Sequence, residues 1–144
     1  MTSHYLEPTQ AQGAALFSRP ISGPVVMLNL LRFREAADYS NAPELAPKTP
    51  VSGREAYEKY MDVTRPFLKE SGGEVIFQGD GGPFLIGPEG EQWDMALLIR
   101  QNSLQDFLAF ASNQAYLKGL AHRTAAVEDS RLLPLVEALG TSGT

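Results

Sequence analysis

Cysteine is absent from the 144 residues, and that absence removes several kinds of chemistry at once. Without cysteine the chain has no disulfide, no zinc–thiolate centre and no cysteine nucleophile. Runs of basic residues are missing as well. The net charge of −5 argues against nucleic-acid binding, which requires clustered Lys and Arg. We therefore expect neither thiol chemistry nor a nucleic-acid partner.

Long apolar runs are also missing. The longest, residues 25–31, is interrupted by Asn29 and is much shorter than the roughly 20 residues that span a bilayer. The N-terminus has no basic segment followed by an apolar run, so we predict no signal peptide. These absences predict a cytoplasmic protein without a membrane partner.

The composition that remains is ordinary for a globular protein, with 43% apolar and 20% charged residues. A chain of this length fits one domain with a single core. We divide it into an N-terminal helical extension over residues 1–23, a core over 24–136 and a flexible tail over 137–144.

Periodicity and capping residues predict the elements inside this core. The strongest strand signal covers residues 25–33, and Ser52 with Glu55 forms a capping box that opens a long helix. Three prolines mark residues 35–52 as a long loop, which is a lid, an interface arm or an exposed insertion. The other predicted elements are a helix over 7–18, a strand over 74–78, a turn over 79–83 with the strand continued over 84–86, a strand over 93–100, a helix from the Ser103 cap to Ala111, a helix after Asn113 that ends at His122 and Arg123, and a last strand over 130–136.

This order predicts an α+β ferredoxin-like sandwich with four antiparallel strands and helices on one face. The first and third strands are apolar on both faces, so the face away from the helices requires a cover. A second copy of the same sheet is the economical cover. The sequence therefore predicts a homodimer formed by sheet faces.

Several short motifs in a fixed order resemble a family of small, mostly bacterial proteins of unknown function in the dimeric α/β-barrel superfamily. The motifs are residues 27–33 (MLNLLRF), 53–57 (GREAY), 86–89 (IGPE), 93–94 (WD) and 122–131 (HRTAAVEDSR). The resemblance implies a ferredoxin-like subunit and a dimer whose two sheets form a barrel. Relatives in the superfamily include cofactor-independent monooxygenases, muconolactone isomerases and haem-dependent enzymes. The family itself has no agreed reaction, so the resemblance assigns no catalytic residue.

Two residues are our candidates for catalysis. His122 is the candidate general acid/base, because imidazole titrates near neutrality. Asn29 lies inside the first strand, where its amide could hold a carbonyl or enolate oxygen. Each also has a structural interpretation: His122 would interact with free carbonyls at a helix end, and Asn29 would be hydrogen-bonded to neighbouring backbone.

Four residues are our candidates for substrate binding: Arg123, Trp93, Arg32 and Asp94. Arg123 matches a carboxylate bidentately, or it bridges to Glu128 or Asp129 and fixes the turn. Trp93 is either an aromatic wall or a core residue, and Asp94 either orients a base or pairs with Arg32 or Arg123. Strand alternation places Arg32 on the face opposite Asn29, so these two residues do not line one cavity.

Three hypotheses of function follow. The first is a cofactor-independent enzyme that isomerises, decarboxylates or oxygenates a small carbonyl or carboxylate compound. The second is a non-catalytic dimer, small-molecule-binding or stress-associated, in which the polar cluster 122–131 is a structural latch. The third, a haem enzyme, has His122 as its only plausible ligand. Because no metal-ligand spacing surrounds His122, we expect no metal and no other cofactor.

Overall fold

The computed structural model describes residues 4–138. These residues form one sheet of four antiparallel strands, together with helices and connecting loops. The strand order β2-β3-β1-β4 is that of a ferredoxin-like fold, and the predicted α+β class is confirmed. The ends of the predicted extension and tail, residues 1–3 and 139–144, lie outside the described residues. The elements are α1 (Gln10–Phe17), β1 (Val25–Phe33), α2 (Gly53–Glu70), β2 (Glu74–Pro83), β3 (Gln92–Gln101), α3 (Leu104–Ala111), α4 (Gln114–Ala126) and β4 (Val127–Leu135), with a 3₁₀ turn over Pro43–Leu45.

The central strand β1 buries one of its two faces under the helices. Met27 and Leu31 are at most 2% exposed, and Leu31 packs in the main core with Tyr57 and Tyr60 of α2. Side chains of a strand alternate between faces, so the residues between them, such as Leu28, point away from the helices and are only half-buried. Asn29 lies on the helical side, as the alternation predicts.

The register of the four strands aligns apolar residues across the sheet face opposite the helices, which we call the open face. One row crosses all four strands and consists of Phe77, Leu98, Leu28 and Leu133. Its two outer members, Phe77 and Leu133, are 56% and 55% exposed. Within one chain this apolar face has no covering layer among the described residues.

Two features of the β2–β3 hairpin differ from the prediction. The predicted turn over residues 79–83 is wrong, because β2 continues to Pro83 and pairs with β3 as far as Gln92. Residues 84–86, predicted to continue the strand, lie in the connection instead. Glycine is tolerated in this edge strand because pairing uses the backbone alone. At Gly81 it is required, since a Cβ would collide with the carbonyl oxygen of Trp93.

The junction between α4 and β4 also differs from the prediction. The helix continues to Ala126, so His122 and Arg123 lie inside it rather than at its end. The amide of Val127 still donates to the carbonyl of Arg123 while Val127 itself is extended, so the strand begins without a loop. Glu128 and Asp129, predicted to lie in a turn, are therefore strand residues.

The long segment before α2 is held at both ends. The predicted capping box is confirmed, with reciprocal hydrogen bonds between Ser52 and Glu55. Gly53 follows because any Cβ there would collide with the carbonyl oxygens of Arg34 and Ala126. Near the start of the loop, the amide of Asp38 donates to the carbonyl of Ala125 at 2.9 Å. These bonds attach the loop to the C-terminal end of α4.

Candidate functional site

The polar cluster predicted over residues 122–131 divides into two groups on opposite faces of the sheet. His122 and Arg123 belong to α4 on the helical side. Asp129 and Arg131 pair in register with Arg32 and Leu30 of β1, and therefore lie on the open face. The predicted cluster is thus two separate sites.

On the helical side, His122 forms a hydrogen bond with a loop residue. Its Nδ1 lies 2.7 Å from the hydroxyl of Tyr39, and the two rings meet edge to face. Burial, together with the charge of Lys59, lowers the pKa of His122, and burial raises the pKa of Tyr39. Near pH 7 the hydroxyl is therefore protonated and the imidazole neutral, and the tautomer of the imidazole decides which of the two groups donates. Sequence reasoning missed Tyr39, because it lies 83 residues away in an irregular loop.

Asn29 is engaged with its own strand. Its Nδ2 donates to the carbonyl of Met27 at 3.2 Å, and the residue is 8% exposed. No hydrogen bond joins Asn29 to His122 within residues 4–138. The two predicted catalytic residues share the helical side of the sheet but do not form a contact with each other.

Arg123 holds the N-terminal segment against the sheet. Its Nη1 donates to the carbonyl of Leu6 at 3.0 Å, and its Nη2 donates to the hydroxyl of Ser130 at 3.4 Å. The predicted bridge to Glu128 or Asp129 is not formed. Both ends of the guanidinium therefore serve the fold.

On the open face, Asp129 is the centre of an ionic network. Its carboxylate is 1% exposed and accepts from Arg131 at 2.7 Å and from Arg32 at 3.3 Å. Arg32 also lies 3.3 Å from Glu128. The backbone amide of Tyr5 adds a further hydrogen bond to Asp129, at 2.8 Å. Two arginines and two carboxylates thus balance in charge at one end of the open face.

Trp93 lies beside this network. The guanidinium of Arg131 is 4.9 Å and that of Arg32 5.8 Å from the centre of the indole ring, both within cation–π range. Strict alternation would put Trp93 on the helical side with Met95. Its contacts with Arg131 and Arg32 instead bring the indole to the network, at the point where β3 still pairs with β2 but no longer with β1.

Where the β1–β3 pairing ends, the side chain of Asp94 replaces a backbone hydrogen-bond partner. Its Oδ2 accepts from the backbone amide of Phe33 at 2.8 Å. The predicted pairing of Asp94 with Arg32 or Arg123 is not formed, because Arg32 binds the carboxylates of β4 and Arg123 binds the N-terminal segment. Asp94 therefore completes the end of the β1–β3 ladder.

A cavity of about 450 Å³ lies against the open face beside Trp93. Its floor includes Leu30 and Ala96, which pair with each other, and Leu30 in turn pairs with Arg131. Leu85 at its mouth is 98% exposed, so the cavity opens to solvent. The lining consists of Leu30, Gly81, Gly82, Pro83, Phe84, Leu85, Trp93, Met95 and Ala96.

Arg131 does not line the cavity, but its guanidinium stacks at 4.9 Å on Trp93, which does. Both of its hydrogen bonds use Nη1, one to Asp129 and one to the carbonyl of Ser130. Its Nε and Nη2 have no hydrogen-bond partner among residues 4–138. Sequence reasoning did not include Arg131 among the site residues. Arg131 lies two positions after Asp129 on β4 and therefore on the same face of the strand, which was a usable signal.

Metal and membrane sites find no support in the described part of the chain. Residues 4–138 contain no group of three or more His, Cys, Asp or Glu side chains able to hold a metal ion. Over the same residues, no helix combines the length and the apolar character that crossing a bilayer demands.

Comparison with solved structures gives the relatives of this fold. The chain is 33% identical to the methylated RPA0582 protein, with 95% of this chain and 97% of that chain covered and a TM-score of 0.84. A second structure of RPA0582, a protein of unknown function from Rhodopseudomonas palustris, gives 33% identity, 94% and 98% coverage and a TM-score of 0.83. A dimeric ferredoxin-like protein of unknown function from Thermobifida fusca is 12% identical over 81% of this chain and 92% of that chain, with a TM-score of 0.47. No protein-family model and no curated protein matches the chain.

Proposed function

This chain belongs to the family of the RPA0582 protein of Rhodopseudomonas palustris, a protein of unknown function, and we propose that it acts as a homodimer that binds a small, largely apolar organic acid. The observation that carries the proposal is the cavity against the open face. Its volume of about 450 Å³ lies within the ~300–1,000 Å³ typical of ligand pockets. Apolar walls with a few polar groups at one end are typical of such pockets.

The position of the charged groups supports an acidic ligand. Arg131 stacks on Trp93, which lines the cavity, and its Nη2 and Nε are available to donate hydrogen bonds to a carboxylate. Arg32 lies on the other side of the network and stays a proposed substrate-binding residue. Because Glu128 and Asp129 balance the two arginines, we expect an acid to be oriented here and held with modest affinity.

The open face supports the homodimer. Phe77 and Leu133 are more than half exposed at the two edges of one apolar row. Exposed apolar patches of this kind mark interaction surfaces. A two-fold dimer would place the row of one chain against the row of the other, and it would roof the cavity. An obligate interface of this kind buries more than about 2,000 Å² in total.

Two neighbouring leucines of β4 provide a matched test of the interface. Leu133 lies on the open face opposite Leu28, whereas Leu132 pairs with Asn29 on the other face. Their exposures, 55% and 47%, are similar. In sedimentation equilibrium at micromolar concentration we expect a dimer for the wild type and for Leu132→Glu, and a monomer for Leu133→Glu. A monomeric wild type would refute the homodimer.

The single tryptophan of the chain provides the test of binding. Because the chain has one tryptophan, the protein has one indole cross-peak in an ¹H–¹⁵N spectrum. The indole Nε1 of Trp93 donates to Glu91 at 3.0 Å. We expect benzoate to shift this peak saturably and benzyl alcohol to shift it much less, because the alcohol has no carboxylate for Arg131. The absence of a saturable shift with benzoate would contradict the proposed binding function.

A second candidate function, cofactor-independent proton transfer on a small carbonyl compound, is supported by the hydrogen bond between Tyr39 and His122. In the tautomer whose Nδ1–H donates to the hydroxyl oxygen of Tyr39, the neutral imidazole has a free lone pair on Nε2 and is able to accept a proton there. In this proposal His122 is the base, and Asn29 stabilises the developing oxyanion. The test is α-proton exchange of pyruvate in D₂O, followed by NMR. Exchange no faster with the wild type than with His122→Ala would eliminate this candidate.

A further inference from the structure

Gly82 is a glycine that the packing of one chain does not require. It lies in β2 opposite Trp93, and its backbone is not in the left-handed region. A Cβ added at Gly82 would meet no atom within 4 Å, whereas a Cβ at Gly81 would collide with the carbonyl of Trp93. Gly82 is the second-to-last residue of the edge strand β2, and a glycine in a strand marks a bulge, a bend or a place where a ligand or another backbone approaches closely.

The space above Gly82 belongs to the cavity. Gly82 lines it together with Pro83, Phe84 and Trp93, so the lining around Gly82 includes two aromatic residues and a proline. Aromatic side chains prefer offset or edge-to-face contact with other rings. A planar ring fits beside Trp93 only as long as no side chain projects from position 82.

We propose that Gly82 determines the shape of ligand that the cavity accepts, and that this ligand is a planar aromatic acid whose ring lies over Gly82 beside Trp93. The inference rests on the proposed binding function and adds the class of ligand to it. The carboxylate of such an acid would point towards Arg131, which stacks on Trp93 at 4.9 Å. A puckered ring of equal charge and size would make poorer contact with the aromatic rings of Phe84 and Trp93.

The test fills the space without disturbing the fold. Gly82→Val adds a side chain that suits a strand, and Gly82→Ala adds a smaller one. Gly90→Val is the matched control, because a Cβ at Gly90 also meets no atom within 4 Å and Gly90 does not line the cavity. The probes are benzoate and cyclohexanecarboxylate, which have the same charge and the same number of carbons. The readouts are the Trp93 indole shift, the thermal midpoint and the sedimentation mass.

We expect the wild type and Gly90→Val to bind benzoate several-fold more tightly than cyclohexanecarboxylate. Gly82→Val should lose benzoate affinity by about tenfold or more, with Gly82→Ala between, while its thermal midpoint is unchanged or higher. Benzoate binding to Gly82→Val at wild-type affinity, or equal wild-type affinity for the two probes, would overturn this inference and leave the binding function standing. Dissociation of Gly82→Val to monomers would also overturn it, because the partner chain would then occupy the space. Failure of the wild type to bind either probe would refute the binding function itself.

Discussion

The replacement Asp129→Asn tests whether the ionic network on the open face stabilises the subunit. The carboxylate accepts hydrogen bonds from the amides of Tyr5 and Ser130 at 2.8 and 2.9 Å and from both arginines. Asparagine keeps the shape and one oxygen, so the two amides can retain their acceptor. The other oxygen becomes an NH₂ group that faces Nη2 of Arg32, donor against donor.

The magnitude follows from the exposure of the partners. A net hydrogen bond to a charged group contributes about 1.5–3 kcal/mol, and breaking a fully buried ion pair costs about 3–5 kcal/mol. Here the carboxylate is 1% exposed, but the side chains of Arg32 and Arg131 are 22% and 36% exposed, so water screens them. We expect Asp129→Asn to lower the free energy of unfolding by about 2–3 kcal/mol at pH 7.

Acid should remove this difference. Burial by itself raises the pKa of Asp129, but hydrogen bonds from Tyr5 and Arg131 and the charge of Arg131 outweigh it, and the net pKa is below its ordinary value of 3.8. The stabilisation is therefore complete above the unfolded pKa and is lost as the pH falls through the folded pKa. Urea unfolding from pH 7 to pH 3 measures this change, and the difference between the wild type and Asp129→Asn should shrink over the acid end of the range.

An exposed aspartate provides the control for that experiment. Asp80 pairs with Arg54 at 3.0 Å, but its side chain is 77% exposed. Asp80→Asn should therefore cost less than about 1 kcal/mol. Two results would refute the assignment of stability to the buried network. One is an equal loss of unfolding free energy for Asp129→Asn and Asp80→Asn. The other is a loss of unfolding free energy for Asp129→Asn that stays constant down to pH 3.

Two further predictions concern the free energy of unfolding of variants on the helical side of the sheet, the first with an open-face variant for comparison. Leu97→Ala, at a residue that is 0% exposed, should lower the free energy of unfolding by about 2–5 kcal/mol in urea titrations, whereas Leu28→Ala on the open face should cost clearly less in a monomeric Leu133→Glu background. His122 is held neutral by burial, so its contribution to stability should be complete above its unfolded pKa and decline as the pH falls from about 6.5 through its lowered folded pKa. In His122→Gln the decline in unfolding free energy between pH 7.5 and 5.5 should be reduced. An unchanged decline would contradict the assignment of this pH dependence to His122.

Local signals explain why much of the fold could be predicted from the sequence. The caps of α2, α3 and α4 are Ser52, Ser103 and Asn113, and each side chain accepts from an amide two or three residues ahead. Burial alternates along β1, and this is sufficient to separate Asn29 from Arg32. Interactions within a few residues of one another therefore fixed these features.

The errors arose where pairing partners are distant in the sequence. The glycine-rich end of β2 becomes a strand because β3 supplies backbone hydrogen bonds, which no local propensity reports. At the α4–β4 junction the chain changes from helix to strand without Gly or Pro, the residues that usually mark such a boundary. The site contacts are more distant still, since Arg32 and Asp129 are separated by 97 positions.

The sheet itself limits which residues can act together. His122 and Asn29 lie on its helical side, whereas Arg131 and Trp93 meet on the open face. Layers packed on a sheet are about 10 Å from it, so a compound bound beside Trp93 is beyond hydrogen-bond reach of His122 in the same chain. The two proposed functions therefore use separate sites and are independently testable. Substitution of His122 should leave benzoate binding at Trp93 unchanged, and substitution of Gly82 should leave proton exchange unchanged.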